Sequence, residues 1–261
     1  MRHLFISDLH LGDHNPNLEQ LFNAFMAQLP QSGDKLYILG DFFEAWIGDD
    51  ASTPLSQRVI QTLRNFITNG GEGFLMHGNR DFLIGQLFCE QTGFKFLDEP
   101  FAIELNGHQC CLLHGDSLCT DDIDYQAFKQ MVRNPKWQKE FLAKSIDERL
   151  DIARELRKKS QESMQDKSEA IVDANESAIL ALFETTGSDI IIHGHTHRQD
   201  VHSYHVNGRT VQRIVLGDWG ETGCVLVVDN SLENSHEKKD SNSVNQGFEL
   251  RNFTLAELQS T

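Results

Sequence analysis

His3-Leu4-Phe5-Ile6-Ser7-Asp8-Leu9-His10 opens on a short apolar run and ends in a carboxylate and an imidazole two residues apart. A run of that length, rich in β-branched and aromatic residues, reads as a buried strand, and the hard ligands fall where the strand stops. The arrangement recurs. Leu39-Gly40-Asp41 closes the run 35–39, His77-Gly78-Asn79-Arg80-Asp81 follows 74–76, and Leu113-His114-Gly115-Asp116 ends the run 110–113. Ile190-Ile191-Ile192 then leads into His193-Gly194-His195-Thr196-His197. In open α/β sheets the crevice beyond the carboxyl ends of the strands gathers residues distant in sequence, so these strand ends are expected to meet.

Helical spacing fills the gaps. Leu18, Leu21, Phe22, Phe25 and Met26 follow one helical face, and Pro54 opens a second helix that carries Val59, Ile60, Leu63, Phe66 and Ile67. The alternation predicts an α/β layered fold. Beyond residue 190 the runs 203–206, 210–216 and 224–228, punctuated by Asn207-Gly208 and Gly220 to Gly223, read as mostly antiparallel strands, so a mixed sheet or two packed sheets is expected. From 121 to 183 strand signals vanish, which marks a helical insertion within a single domain over 1–261. The insertion is locally basic, with Arg133, Lys136, Lys139, Lys144, Arg149, Arg154, Arg157, Lys158, Lys159 and Lys167. Its apolar residues, among them Phe128, Trp137, Phe141 and Leu150, suit a groove or a membrane surface. The stretch 230–247 reads as a polar surface loop.

Composition excludes several classes. A net charge of -16 disfavours a general nucleic-acid surface, which needs clustered positive charge. No apolar run approaches the roughly 20 residues of a membrane span, and the first residues lack the apolar core of a leader, so a cytosolic protein is expected. The five cysteines include no C-x-x-C pair and read as reduced structural thiols. His108, His202 and His205 read as surface or satisfied histidines.

Carboxylate, amide oxygen and imidazole without thiolate suit Mn²⁺, Fe²⁺ or Zn²⁺ at a reactive site. Two such ions, about 3.5 to 4 Å apart, can share one carboxylate and polarise the attacking and leaving oxygens of a phosphoryl displacement. Asp41 is the best candidate for that shared ligand. Gly40, Gly78, Gly115 and Gly194 stand beside the ligands, where the chain must turn sharply without a Cβ.

The ordered motifs resemble the calcineurin-like metallophosphoesterases, in which D-x-H, G-D, G-N-H-[DE], H and G-H-x-H follow in that order. The resemblance implies a four-layer αββα sandwich with a helical cap. It also implies one ion on Asp8, His10, Asp41 and His197 and a second on Asp41, Asn79, His114 and His195, with water between them as nucleophile. Arg80 departs from the pattern, standing where most members place a histidine. A guanidinium stays charged, so it can bind phosphate oxygens but cannot donate a proton to a leaving group. A leaving group that departs as a phosphate anion therefore fits better than an alkoxide.

With that departure, the segments 40–50, 77–83 and 114–122 are similar to one family within the superfamily, the UDP-2,3-diacylglucosamine diphosphatases of lipid A biosynthesis. That resemblance implies two Mn²⁺ ions and water attack at the α-phosphorus of UDP-2,3-diacylglucosamine, giving UMP and 2,3-diacylglucosamine 1-phosphate. Asp41, Asn79, Arg80 and His114 would be catalytic. Asn79, Arg80, Asp122, Ser160, Met164, Lys167 and His195 would contact substrate, although Met164 stands where the family often has asparagine and cannot supply the same hydrogen bonds. The cap would hold the acyl chains of a glycolipid, and a monomer in peripheral contact with the cytoplasmic face of the inner membrane is expected. The alternative is a soluble two-metal nucleotide or phosphoprotein phosphatase, against which Arg80 and the apolar insertion speak. A non-enzymatic scaffold on the same fold should have lost ligands, and none is missing here.

Overall fold

A computed structural model describes residues 1–165, 171, 173–229 and 247–260. The expected polar loop over 230–247 lies, apart from Gly247, outside the described residues. Strands β1 (Arg2–Ile6), β2 (Lys35–Leu39), β3 (Glu72–Met76) and β4 (Lys95–Phe96) run parallel, while β10 (Thr222–Asp229) and β11 (Phe248–Thr254) join beyond β1 as antiparallel strands. A second sheet is built from β5 (Phe101–Leu105), β6 (His108–Leu112), β7 (Ile190–His193), β8 (Asp200–Val206) and β9 (Arg209–Val215), in the order β5-β6-β7-β9-β8. The expectation of mostly antiparallel strands beyond residue 190 fails at β7, which pairs in parallel with both β6 and β9. A helical crossover separates β6 from β7, and such a connection returns the chain in the same direction.

Side-chain alternation along β1 shows why the sheets stack. Phe5 joins Tyr37, Leu39 and Met76 in packing against Leu112, Ile190, Ile192 and Ile214 of the other sheet, whereas Leu4 and Ile6 face the opposite way. On that outer side lie α1 (Pro16–Gln28), α2 (Pro54–Thr68), α3 (Gln86–Thr92) and α8 (Leu255–Gln259). Helix α2 is well specified: Thr53 and Ser56 form a capping box, Pro54 occupies the first turn, and Leu55, Val59, Leu63 and Phe66 bury one stripe. Full burial of each such side chain contributes about 1.5–3 kcal/mol. The outer face of the second sheet, through Cys111, Leu113 and Ile191, receives Ile179 and Phe183 of α7 (Glu176–Thr186). The layers are thus helix, sheet, sheet, helix.

Helices α4 (Ile123–Val132), α5 (Pro135–Leu142) and α6 (Ile146–Gln165) follow the 3₁₀ turn at Asp116–Leu118. Asp122 and Asn134 cap the first two through side-chain oxygens that accept from Tyr125 N and Lys136 N. Arginines then fasten these helices to the core. Arg149, only 1% exposed, donates to Ile47 O at 2.7 Å and pairs with Asp50. Arg133 donates to Gly78 O at 2.8 Å and lies over the Phe82 ring. Asp116 accepts from Tyr125 Oη at 2.5 Å and Lys129 Nζ at 2.8 Å. Arg133 and Arg149 of the basic insertion therefore turn toward the loops of the core.

Candidate metal centre

The loops after β1, β2, β3, β6 and β7 meet at one end of the two sheets. Asp8, Asp41 and His114 are buried, His10, Asn79 and His195 are partly buried, and His197 is exposed. Ligand atoms of Asp8, His10 and His197 lie within 4.8 Å of one another, and so do those of Asp8, Asp41 and His114. Asn79 extends the second group, because its Oδ1 stands 2.9 Å from both His114 Nε2 and His195 Nδ1. All the residues expected to hold ions are therefore brought together. Asp8, rather than Asp41, is common to the two groupings.

Backbone strain marks the same positions. Asp8, His10, Asp41, His195 and His197 have φ between 49° and 65°, and the other non-glycine residues so placed among those described are Asn106 and Asn207, each in a turn before glycine. A left-handed backbone is disfavoured for histidine, so the surrounding structure must impose it, and such strain gathers at functional sites. The imposing contacts are visible: Asp8 N donates to Gly40 O at 3.1 Å and His10 N to Asp41 O at 3.0 Å. Asp81, fully buried, accepts from Phe42 N at 2.7 Å and Gly78 N at 2.8 Å and so ties the loop after β2 to the loop after β3. A Cβ on Gly78 would stand 2.1 Å from Asp41 Oδ1, and one on Gly194 2.1 Å from Asp8 Oδ2, so close approach rather than backbone conformation requires glycine there.

The electrostatics fit a divalent cation. Asp8 Oδ1 and His10 Nδ1 are buried and without a hydrogen-bond partner, an arrangement costly unless something else satisfies them. His114 Nδ1 lies 2.9 Å from Leu39 O, which leaves Nε2 to face the Asn79 oxygen and, at 3.8 Å, Asp41 Oδ1. Burial pushes His114 down, but Asp41, Asp116 and Asp8 outweigh it and lift its pKa to about 9. Burial, assisted by Asp81 and Asp8 and opposed by His114, raises Asp41 to about 7. Asp8 goes the other way, since the His197 imidazole, 3.4 Å from its Oδ1, and the charge of His114 overcome its burial and hold it below the usual carboxylate range. Burial lowers His195 to about 4 and His10 to about 3, with His114 and Arg80 respectively adding to the effect. The neutral imidazoles of His10 and His195, the carboxylates and an amide oxygen, with protons on His114 and Asp41 that a cation would displace, form a donor set for a hard divalent ion.

A cavity of about 540 Å³ opens beside this centre. Asn79 and Arg80 line one end, and Phe82, Phe128, Trp137, Phe141, Ile146 and Leu150 make most of the remainder apolar. Ser160 lines it from α6. Asp122 is buried as the cap of α4. Met164 lies on α6, but its side chain, like the whole of Lys167, lies outside the described residues. Sequence reasoning missed Glu44, Asp81 and Tyr125. Tyr125 lines the cavity and stacks on His195 at 5.9 Å, and its only sequence signal is an aromatic residue just after a capping aspartate.

None of the five cysteines is bridged to another, and all are buried. Among the described residues no helix is long and apolar enough to cross a membrane.

Residues 1–199 match the sequence profile of the calcineurin-like phosphoesterases. The UDP-2,3-diacylglucosamine hydrolase of Marinobacter nauticus is 46% identical over 85% of this chain and 91% of its own length. That of Pseudomonas putida is 44% identical over 97% of this chain and 99% of its own. Among solved structures, a novel archaeal phosphodiesterase aligns at a TM-score of 0.44 and 13% identity, over 97% of this chain and 99% of that one.

Proposed function

We propose that this chain, which belongs to the calcineurin-like phosphoesterase family, hydrolyses the pyrophosphate bond of UDP-2,3-diacylglucosamine. The observation that carries the reading is continuity: the cavity that begins at Asn79 and Arg80 runs on into the apolar lining of α4, α5 and α6. A diphosphate at one end and acyl chains at the other match that gradient, and each buried methylene contributes about 0.8 kcal/mol to holding them.

In this reading Asp8, His10, Asp41 and His197 hold one ion and Asp41, Asn79, His114 and His195 the other, both Mn²⁺. Such ions, when bound, neutralise phosphoryl charge and activate water. The chain's own residues orient the substrate. Arg80 stands with Nε 3.7 Å from Asp41 Oδ2, where it meets phosphate oxygens beside the metal ligands. Because it keeps its proton, the leaving group departs as a phosphate anion, which fits attack at the α-phosphorus and release of UMP and 2,3-diacylglucosamine 1-phosphate. Asp122, Ser160, Met164, Lys167 and His195 complete the substrate contacts. Tyr125, stacked on His195, lines the same cavity.

The reading includes peripheral attachment of a monomer to the cytoplasmic face of the inner membrane. Leu142, Ile146 and Leu150 are 41%, 41% and 36% exposed, the last two at the edge of the cavity, and exposed Lys139 and Lys144 lie on the same helical corner. Apolar side chains flanked by lysines suit an anionic lipid surface.

The test is UMP release from UDP-2,3-diacylglucosamine with and without Mn²⁺, measured beside hydrolysis of a simple phosphomonoester. Metal-dependent release of UMP is expected. Rapid turnover of the monoester with none of the glycolipid would reject the substrate.

A further inference from the structure

Glu44 lies where three parts of the molecule meet, and neither the metal ligands nor the substrate contacts include it. Its backbone N donates to Leu11 O at 3.0 Å, which sets it beside the loop carrying His10. Its side chain, 16% exposed, places Oε1 2.9 Å from Arg80 Nη1 and also against Arg157 Nη2 of α6. Arg157 Nη1 makes a further, longer bond to the Glu44 carbonyl at 3.4 Å. The remaining oxygen, Oε2, stands 3.7 Å from His10 Nδ1.

Arg80 needs such a partner. It carries a long, flexible side chain, 32% exposed, at the mouth of a wide cavity, and its contact with Asp41 is 3.7 Å and not a hydrogen bond. One carboxylate oxygen fixed between two guanidinium groups restricts both, and a planar guanidinium held in one orientation loses little entropy on meeting a phosphate. The carboxylate also offsets positive charge that would otherwise repel cations bound nearby.

We infer that Glu44 is a positioning residue, which acts through Arg80 by holding its guanidinium toward the phosphate that leaves. The inference rests on the function proposed above, in which Arg80 meets that phosphate. Loss of the charge in Glu44→Gln should then slow turnover at saturating substrate while changing KM little, because the acyl contacts that dominate binding lie elsewhere.

The experiment is a double-mutant cycle on UDP-2,3-diacylglucosamine with the metal-loaded protein, using Glu44→Gln, Arg80→Ala and the double variant, with metal content measured for each. Removal of one charge stabiliser typically costs about a hundredfold or more in kcat, so Arg80→Ala should fall by roughly that factor. Glu44→Gln should fall roughly tenfold, and the double variant should match Arg80→Ala within about twofold, since residues that act as a unit are not additive. Independent losses that multiply in the double variant would overturn the proposal, as would loss of metal from Glu44→Gln, which would assign Glu44 to His10 instead. A second readout needs no substrate: in ¹⁵N NMR of the metal-free chain, rotation of the Arg80 guanidinium should be slow in the parent and fast in Glu44→Gln, and equal rates would reject the positioning role. If the parent protein itself releases no UMP, the substrate assignment fails, and the NMR comparison still decides the role of Glu44.

Discussion

The ends of the strands and the helices α4 to α6 solve opposite problems. At the strand ends a few polar atoms must stand within 4.8 Å of one another, and the backbone is bent into disfavoured conformations to place them. The helices carry no comparable strain among the described residues. They present a broad apolar wall and are fastened to the core by Arg133, Arg149 and Arg157 from one side and Asp116 from the other. Chemistry in the first region depends on individual atoms, whereas recognition in the second depends on summed area, so single substitutions should act very differently in the two.

The sharpest contrast is expected at Asp41. Replacement by alanine removes a buried carboxylate from the ligand set, and turnover should fall on the order of a thousandfold, with metal content reduced. Activity near that of the parent would mean that Asp41 is not a ligand and would erase the distinction between the regions.

An intermediate effect is expected from pH. With its pKa lifted to about 9 from 6.5, His114 stabilises the metal-free fold fully below its ordinary value and loses that contribution as pH rises through 9. Asp41, raised to about 7 from 3.8, keeps its proton up to neutrality, so its contribution to the metal-free fold is lost as pH climbs from about 3.8 to 7 and changes no further above that. Metal must displace both protons, so affinity for Mn²⁺ should rise roughly tenfold or more from pH 6 to pH 8. Thermal unfolding with and without Mn²⁺ at the two pH values checks this: the metal-induced rise in Tm should be larger at pH 8, and a larger rise at pH 6 would refute the protonation states assigned here.

The smallest effect belongs to the apolar wall. Trp137→Ser should raise KM for a long-chain substrate roughly tenfold, equivalent to about 1.4 kcal/mol, and leave a short-chain analogue nearly unchanged. Equal effects on both substrates would move Trp137 from the groove into the structural core. Phe141 is a poorer probe despite lining the same cavity, because it is 4% exposed and belongs to the main core, so its loss would also unfold the packing beneath.

The same contrast explains what could be read in advance. The positions that converge at the candidate metal centre were legible because each pairs a possible ligand with a strand end, as in Asp8 after β1 and His114 beyond β6. Gly78 and Gly194 were legible too, although the structure assigns them to close packing against Asp41 and Asp8. The two-sheet sandwich was legible only in part, since the element pattern left a mixed sheet or two packed sheets open and the four layers came from the family resemblance; the alternation of Phe5 with Leu4 and Ile6 that stacks the sheets emerged with the structure. The strand β5 was missed because alternate residues face solvent and its short apolar run, Phe101 to Ile103, opens directly after Pro100 with no metal-ligand residue at its end. Least legible were the long-range pairs. Arg149 looks like a solvated helix residue, and nothing local says that it is buried against Ile47 and Asp50, 102 and 99 positions away in the chain. Glu44 is hidden in the same manner, since its partners Arg80 and Arg157 are remote in sequence.

The central claim is that residues from five loops hold a pair of divalent ions at one end of an apolar groove. Diffraction from crystals grown with Mn²⁺, recorded on either side of the manganese absorption edge, tests it most directly. Two anomalous peaks about 3.5 to 4 Å apart are expected, one against Asp8, His10 and His197 and the other against Asn79, His114 and His195, with Asp41 between them. Peaks elsewhere, or none beside Asp41, would contradict the account.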